Sequence, residues 1–241
     1  MTTYQTTHKN KTSWKPIQKP AEIAENRLIE SILNGSFPIN THLPAERELS
    51  QTLGVTRPTL REVLQRLARD GWLEIQQGKP TRVRDYWKEG KLGVLDSLSE
   101  HLEYLPDNFV PNLLKTRLAM APTYTSLAVS RSPEEVEHLL AGRHALDESP
   151  LSYTKFDWDL QHQLTILGQN PVFVMILNGF KDMYLNLAPY YFSIPAARQK
   201  SANYYNDLAN AAHNNDCSKA KKLTETIMRD SLVFWRHTKL T

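Results

Sequence analysis

The chain has 241 residues, enough for two modest domains, and a formal net charge of +3 from 29 basic and 26 acidic side chains. It contains no run of 18 or more apolar residues, which excludes a membrane-spanning helix, and its polar, basic start lacks the apolar core of a secretory signal. The lone Cys217 cannot form an internal disulfide, as expected in a reducing, cytoplasmic compartment. Without a glycine-rich phosphate loop, a zinc-spaced Cys/His set or a nucleophile motif, we expect no enzyme.

Positive charge is concentrated toward the start of the chain. The first 90 residues contain 14 Lys and Arg against 10 Asp and Glu, whereas the remaining 151 contain 15 against 16. A basic excess in one domain is typical of nucleic-acid binding, although this difference is too small to establish it alone. Residues 1–19 are polar and basic, which predicts a disordered tail that adds nonspecific attraction to phosphate. A helix over residues 20–35 follows and ends at Gly35.

The segment LPAERELSQTLGVTRPTLREVLQRLARDG, which begins at Leu43, predicts two helices joined by a tight turn. Gly54 stands where the first helix needs a left-handed residue at its end, and the second helix starts near Thr56. Apolar residues at helical spacing bury one face of the second helix and leave basic and hydroxyl side chains on the other. The N-terminal part of such a recognition helix meets base edges in the major groove, so the candidates for DNA contact are Arg57, Thr59 and Arg61, with Arg47 from the preceding helix on the phosphate backbone. The alternative is that these are ordinary solvated charges.

A β-hairpin follows, with strands over Trp72–Ile75 and Thr81–Arg84. Its tip carries Gln77, Gly78 and Lys79, where the glycine permits a turn and the lysine adds charge. A narrow minor groove attracts inserted basic side chains, so this tip is the expected wing of a winged helix-turn-helix. A soluble charged turn without a function is the alternative interpretation.

Beyond the hairpin, residues 86–93 form the expected linker, and strand signals cease. Helical patterns interrupted by prolines predict helices over roughly 94–104, 109–130, 133–148, 152–168, 171–191, 195–214 and 216–237. The sequence therefore predicts a mainly α protein with a winged helix-turn-helix domain over residues 20–85 and an all-α bundle over 94–241, which binds an effector and dimerises.

The helix-turn-helix segment resembles the DNA-binding domain of GntR-type bacterial regulators, whose pattern includes L-P-x-E-R-x-L and G-V-(S/T)-R followed by R-E-(A/V)-L-x-x-L. The resemblance covers nearly the whole chain after residue 20 and is closest to the fatty-acid-responsive members of that family. It implies DNA contacts by Arg47, Thr56, Arg57, Thr59, Arg61, Gly78 and Lys79. Gln77 and Pro58 depart from the pattern of those members, which puts operator preference in question.

Many relatives with an all-α effector domain hold a metal through one Asp and three His, and this resemblance indicates where the ligands would fall. Asp157 occupies the acid position, but Gln161, Tyr205 and Ile227 stand where the three histidines would be. His162 is one residue away from the first of these positions, about 100° around the helix. With no imidazole left for a transition metal, we predict no metal.

The last three predicted helices are rich in aromatic residues, most of which are expected to be core. The resemblance implies a pocket for long-chain acyl-coenzyme A (acyl-CoA), contacted by Leu114, Arg117, Tyr184, Tyr191, Asp230, Ser231 and Trp235, with Arg117 facing a phosphate or a buried acid such as Asp230. Met228 stands where a glycine is expected, Ile227 where a tyrosine is, and Leu240 where a lysine is.

The resemblance further implies a homodimer on a palindromic operator. Such a protein represses fatty acid degradation, activates unsaturated fatty acid synthesis, and leaves DNA when the acyl-CoA binds. Two alternatives remain open at the level of sequence. The first is a GntR-family regulator of a different small effector, such as an organic acid. The second is a DNA-binding protein whose bundle only dimerises.

Overall fold

The computed structural model describes residues 19–236, and the predicted basic tail before Lys19, the end of the last predicted helix and Leu240 lie outside that range. The N-terminal part contains α1 (Pro20–Leu33), α2 (Glu46–Leu53), α3 (Arg57–Asp70) and an antiparallel hairpin of β1 (Leu73–Glu74) and β2 (Arg82–Val83). The predicted winged helix-turn-helix is therefore confirmed, with strands shorter than the sequence suggested because only two residue pairs, Leu73 with Val83 and Glu74 with Arg82, are in ladder register.

The remainder of the described chain is helical, which confirms the predicted fold class. Its α-helices are α4 (Tyr86–Glu89), α5 (Gly93–Ser99), α6 (Phe109–Arg131), α7 (Pro133–Ala141), α8 (Pro150–Leu167), α9 (Pro171–Asn178), α10 (Lys181–Phe192), α11 (Pro195–His213) and α12 (Cys217–Trp235). Short 3₁₀ turns cover Leu102–Tyr104 and Gly142–Ala145. No helix within residues 19–236 is both long and apolar enough to cross a membrane.

Two differences from the predicted elements have physical causes. The predicted linker over 86–93 contains α4, because the ring of Tyr86 packs 4.6 Å from that of Trp72 at the start of the hairpin. The single helix predicted over 171–191 is two helices, broken near Gly179, where an added Cβ would lie 2.9 Å from the side chain of Leu92. Helical periodicity reports neither the packing of Tyr86 on Trp72 nor that of Leu92 against Gly179.

Two apolar clusters stabilise the structure, and the boundary between them does not coincide with the boundary between the two domains. The larger one fills the bundle between α6, α8, α11 and α12. The second contains the core of the winged helix-turn-helix, but it continues without interruption into α5, α6 and α10 through Val94, Leu98, Leu114, Met183 and Leu187. The recognition helix and the bundle are thus packed on a shared apolar core, since burial of this kind is the dominant stabilising term.

Candidate DNA-reading face and effector cavity

The start of α3 is held in shape by local interactions that the sequence encodes. Gly54 ends α2 in the left-handed conformation, with φ of 70°, which a side chain would strain. Thr56 then caps α3, because its hydroxyl accepts a hydrogen bond from the Thr59 backbone N–H at 3.3 Å and lies 2.8 Å from the Thr59 hydroxyl. Two of the residues proposed for DNA contact therefore also fix the end of the helix that meets DNA.

Most of the side chains expected to contact DNA are accessible to solvent. Arg47, Thr56, Arg57 and Arg61 are exposed, and Thr59 is half-buried. Arg61 is already engaged, because its Nε donates to Glu46 Oε2 at 2.8 Å across the α2–α3 turn. Its two terminal nitrogens make no other hydrogen bond within residues 19–236, so the guanidinium is oriented while part of its donor set stays available.

The wing presents its tip to solvent. Gln77, Gly78 and Lys79 are exposed, and Gly78 adopts a left-handed conformation with φ of 74°. Arg82, the first residue of β2, is held by contacts within the protein. Its guanidinium donates to Glu74 Oε2 at 2.7 Å and to Asn40 Oδ1 at 2.6 Å, so it is a structural residue.

A cavity of about 650 Å³, its open mouth included, lies between α6, α10, α11 and α12. Six of the seven residues predicted to bind effector line it, namely Leu114, Arg117, Tyr184, Tyr191, Ser231 and Trp235. Asp230 does not. It faces a neighbouring groove between α11 and α12, where its carboxylate lies 3.2 Å from Lys200 Nζ, so the suggested pairing of Arg117 with a buried Asp230 is wrong.

The acid that pairs with Arg117 is Asp157 on α8. The Arg117 Nη2 lies 3.5 Å from Asp157 Oδ2, and both side chains are at least 85% buried. The hydroxyl of Tyr184 donates to the same carboxylate at 2.5 Å and that of Tyr205 at 3.0 Å, while the guanidinium sits 5.0 Å above the Tyr184 ring. Burial and the adjacent carboxylate raise the pKa of both phenols, which therefore remain protonated donors.

Within residues 19–236, two buried polar atoms at the cavity wall have no hydrogen-bond partner of good geometry, the Nε of Arg117 and the hydroxyl of Tyr191, the second of which lies near Ser201. Burial raises the Tyr191 pKa to about 12, so this hydroxyl keeps its proton near neutral pH. An unsatisfied buried polar atom costs about 1–3 kcal/mol. Since both atoms donate, they would be satisfied by an oxygen acceptor on a ligand inside an otherwise apolar cavity.

The residues at the four metal-ligand positions form a different arrangement here. Asp157 and Tyr205 are hydrogen-bonded, the amide oxygen of Gln161 accepts from Tyr124 at 2.6 Å, and Ile227 contributes an apolar wall. Among residues 19–236 no three His, Cys, Asp or Glu side chains come together as a metal site would require. The cation that neutralises Asp157 in this fold is the guanidinium of Arg117.

Several wall residues were not singled out from the sequence. Asp157 was considered only as a metal ligand, and Val110, Leu187, Ser201 and Tyr204 were not assigned to a site. The only available signal was helical phase, since Val110, Leu114 and Arg117 recur on one side of α6 at spacings of four and three. That phase reveals a shared face and does not reveal a cavity.

The fold and its two surfaces define a class, a transcription regulator with a winged helix-turn-helix and an all-α effector domain. Comparisons with known families agree with this assignment. Residues 20–83 match the family of bacterial regulatory proteins named after GntR, and residues 84–241 match the FadR C-terminal domain. The chain therefore belongs to the FadR branch of the GntR family.

Individual relatives give the same picture. The chain is 42% identical over 220 residues to a fatty acid metabolism regulator protein of Shewanella halifaxensis, covering 90% of this chain and 91% of the relative. It is 39% identical over 218 residues to a protein of the same name from Yersinia pestis, with the same coverage. Among solved structures, Lar, described as controlling the Listeria monocytogenes agr system, shares the fold, with a TM-score of 0.62, 15% identity, and coverage of 93% of this chain and all of that one.

Proposed function

We propose that this protein regulates transcription of fatty acid metabolism genes as a homodimer on a palindromic operator, and that long-chain acyl-CoA releases it from DNA. The proposal includes repression of fatty acid degradation and activation of unsaturated fatty acid synthesis. The coarse function follows from family membership and from relatives named as fatty acid metabolism regulators. The effector, the dimer and the individual contacts rest on the arguments below.

The DNA contacts are proposed from the exposed start of α3 and the tip of the wing. Arg57 and Arg61 supply bidentate donors for guanine in the major groove, with Thr56 and Thr59 beside them. Arg47 is proposed to contact phosphate, and Gln77, Gly78 and Lys79 to contact the minor groove. In a two-fold dimer the recognition helices sit about one helical turn apart, so the operator is a short palindrome.

The observation that carries the effector proposal is an apolar cavity that contains two unpartnered donors. Among residues 19–236 no acceptor of good geometry pairs with Arg117 Nε or the Tyr191 hydroxyl, and most of the other lining side chains are aliphatic or aromatic. An acyl thioester combines these requirements, because its carbonyl accepts hydrogen bonds and its chain is apolar. Ser231, whose hydroxyl donates to the Met228 carbonyl at 2.7 Å, and Trp235 are proposed to border the head group.

Asp230 is proposed to act at the cavity mouth, since it lies one residue from Ser231 and pairs with Lys200 outside the cavity. At that position it would meet the polar part of a ligand whose chain is inside. Met228 is 4% exposed and lines the cavity, so its side chain occupies space that a glycine would leave to the acyl chain. We therefore expect a preference for chains that stop short of Met228.

The proposed function is tested by titrating oleoyl-CoA into a complex of the protein with labelled operator at fixed salt. Long-chain thioesters should dissociate the complex, while free CoA should have little effect. Each methylene buried contributes about 0.8 kcal/mol, so shortening a fully buried chain by four carbons should weaken the effect more than about one hundredfold. An intact complex well above micromolar oleoyl-CoA would reject acyl-CoA as the effector.

The same titration with a citrate-like acid addresses the other effector class. A buried guanidinium is the side chain that best recognises a carboxylate, and Arg117 is such a group. Its partner Asp157, however, already neutralises that charge, which disfavours a second anion. Release of the operator by the organic acid and not by the thioester would favour a different regulator of the same family.

A further inference from the structure

Ligand and DNA occupy opposite parts of this molecule, and one contact connects the two directly. The recognition helix α3 ends at Asp70, and the backbone carbonyl of Asp70 accepts a hydrogen bond from the Lys91 N–H at 3.0 Å. Next to it, the Asp70 side chain lies over the start of α5. A Cβ added to Gly93 would lie 2.9 Å from the Asp70 carboxyl carbon and from one of its oxygens.

The close approach depends on the absence of side chains on both sides of the contact. Gly71 ends α3 with φ of 102°, and a Cβ there would lie 2.9 Å from the Gly90 Cα. The segments Asp70–Gly71 and Gly90–Gly93 thus meet backbone to backbone at Gly71, and side chain to backbone where Asp70 lies against Gly93. We call this contact the α3–α5 joint. Backbone contacts of this kind leave little freedom for sliding, because well-packed interiors transmit displacement rather than absorb it.

From the joint, α5 leads to the cavity. Asn186 on α10 donates its amide to the carbonyl of Ser99 at the end of α5, at 3.0 Å. Val94 and Leu98 share an apolar cluster with Met183 and Leu187 of α10. The same part of α10 forms a cavity wall, because Leu187 lines the cavity together with Tyr184 and Tyr191. A shift of α10 that accompanies ligand binding therefore reaches α3 through α5.

We propose that Asp70 and Gly93 are positioning residues for allosteric release, so that ligand binding weakens operator binding through the α3–α5 joint. Neither residue touches the cavity or belongs to the proposed DNA face. The inference rests on the proposed function in one respect, namely that a ligand in the cavity releases the operator. Coupling of this kind is a difference in ligand affinity between two arrangements of the protein, and a group can carry it without contacting either ligand.

The test replaces Gly93 with alanine. The added methyl would displace the Asp70 carboxyl, which can rotate away, and would lie 3.1 Å from the Asp70 Cβ, which must shift slightly, so the joint is displaced while the fold should survive. The matched control is Gly142→Ala, whose Cβ would lie 3.3 Å from the Phe156 ring within the bundle, away from the joint. Circular dichroism melts of both variants, and of Asp70→Ala as a second variant that removes the contact without adding bulk, establish that they are folded.

Operator affinity is measured by fluorescence anisotropy with and without oleoyl-CoA, and ligand affinity is measured separately by calorimetry. Typical allosteric coupling is about 5–150-fold. We expect Gly93→Ala to keep both affinities within about twofold of wild type and to reduce the coupling to nearly one, while Gly142→Ala retains it. Asp70→Ala should act likewise, and the double variant should be no worse than either single one, because all three alter the same contact, that of the Asp70 side chain with the start of α5. The proposal is overturned if Gly93→Ala keeps the coupling between ligand and operator binding, or if Gly142→Ala loses as much of that coupling as Gly93→Ala does.

A second readout requires no acyl ligand and separates failure of this inference from failure of the proposed function. Operator DNA alone is added, and hydrogen exchange of the backbone amides in α5 and α10 is followed. Wild type and Gly142→Ala should show altered exchange in both helices, and Gly93→Ala should not. If operator DNA changes hydrogen exchange in Gly93→Ala as much as in wild type, the proposed role of the α3–α5 joint is wrong, whatever the effector is. If oleoyl-CoA fails to release wild-type protein from the operator, only the proposed effector is wrong.

Discussion

Replacing Asp157 with asparagine should destabilise the protein strongly while preserving side-chain shape. The carboxylate is the ion-pair partner of Arg117, at 3.5 Å, and the two side chains are 11% and 15% exposed. Arginine cannot shed its proton in a protein, so the variant leaves a buried charge without its counter-charge. Breaking a buried pair from one side costs about 3–5 kcal/mol.

The expected loss is large enough to measure by thermal unfolding. For a chain of about 150–250 residues, 1 kcal/mol corresponds to roughly 2–4 °C, so the melting temperature should fall by about 6–20 °C. The matched control is the double variant Asp157→Asn with Arg117→Met, which removes both charges and leaves an amide oxygen to accept from one of the two phenols. It should recover much of the lost stability, because no unpaired charge remains.

Two results would refute this reasoning. A fall of less than about 2 °C in Asp157→Asn would show that the cavity solvates Arg117 well enough to make its partner dispensable. The second result concerns the double variant. If its loss of stability equals the sum of the losses in Asp157→Asn and Arg117→Met, the two residues act independently, since coupled neighbours depart from additivity by about 0.5–3 kcal/mol.

Three further changes test the DNA face and the domain junction. Arg57→Ala should weaken specific operator binding by about 1–3 kcal/mol in anisotropy titrations at fixed salt, while Arg69→Ala, at the far end of the same helix, should not. Thr56→Ala removes the cap on the Thr59 N–H and should cost about 1 kcal/mol in urea unfolding. Burial, together with Asp182 and Asp70, raises the pKa of Asp96, so its charge opposes folding at neutral pH. Asp96→Asn should therefore raise the melting temperature at pH 7, with a gain that shrinks as the pH falls toward 4, where wild-type Asp96 becomes neutral in the unfolded chain as well.

Each of these three predictions has a result that would contradict it. Equal losses for Arg57→Ala and Arg69→Ala would show that operator affinity reflects total charge and not position on α3. An unchanged midpoint in Thr56→Ala would mean that the 3.3 Å contact contributes nothing to helix stability. A gain in Asp96→Asn that is the same at pH 4 and pH 7 would assign the effect to packing.

The parts of this structure that sequence could predict are those specified locally. The α2–turn–α3 unit follows from Gly54, the Thr56 cap and an apolar stripe, all within a few residues of one another. The break between α9 and α10 lies at Asn178-Gly179, a local turn signal that a division of the helices at prolines does not use. It lies beside Leu92, nearly ninety residues earlier in the chain, which packs against Gly179.

The residues of the cavity likewise include some that the sequence could identify and some that it could not. Family resemblance located six of the wall residues, yet it suggested Asp230 as the acid facing Arg117, and Asp157 fills that role. The two acids cannot be distinguished by composition, since each lies on a helix with one side toward the bundle. Only packing decides, because α8 brings Asp157 between the hydroxyls of Tyr184 and Tyr205, whereas Asp230 turns toward Lys200.

The pairing of Arg61 with Glu46 affects how ionic strength should act on the complex with DNA. A lysine or arginine that is free in solution displaces one condensed cation when it meets a phosphate, which contributes about 0.9 to the slope of log affinity against log salt concentration. Arg61 can keep Glu46 Oε2 2.8 Å from its Nε while its terminal nitrogens reach a guanine, so the pair brings no net charge to the phosphates and displaces no condensed cation. The complex should consequently tolerate salt better than its number of basic side chains implies, by about one phosphate contact for each subunit.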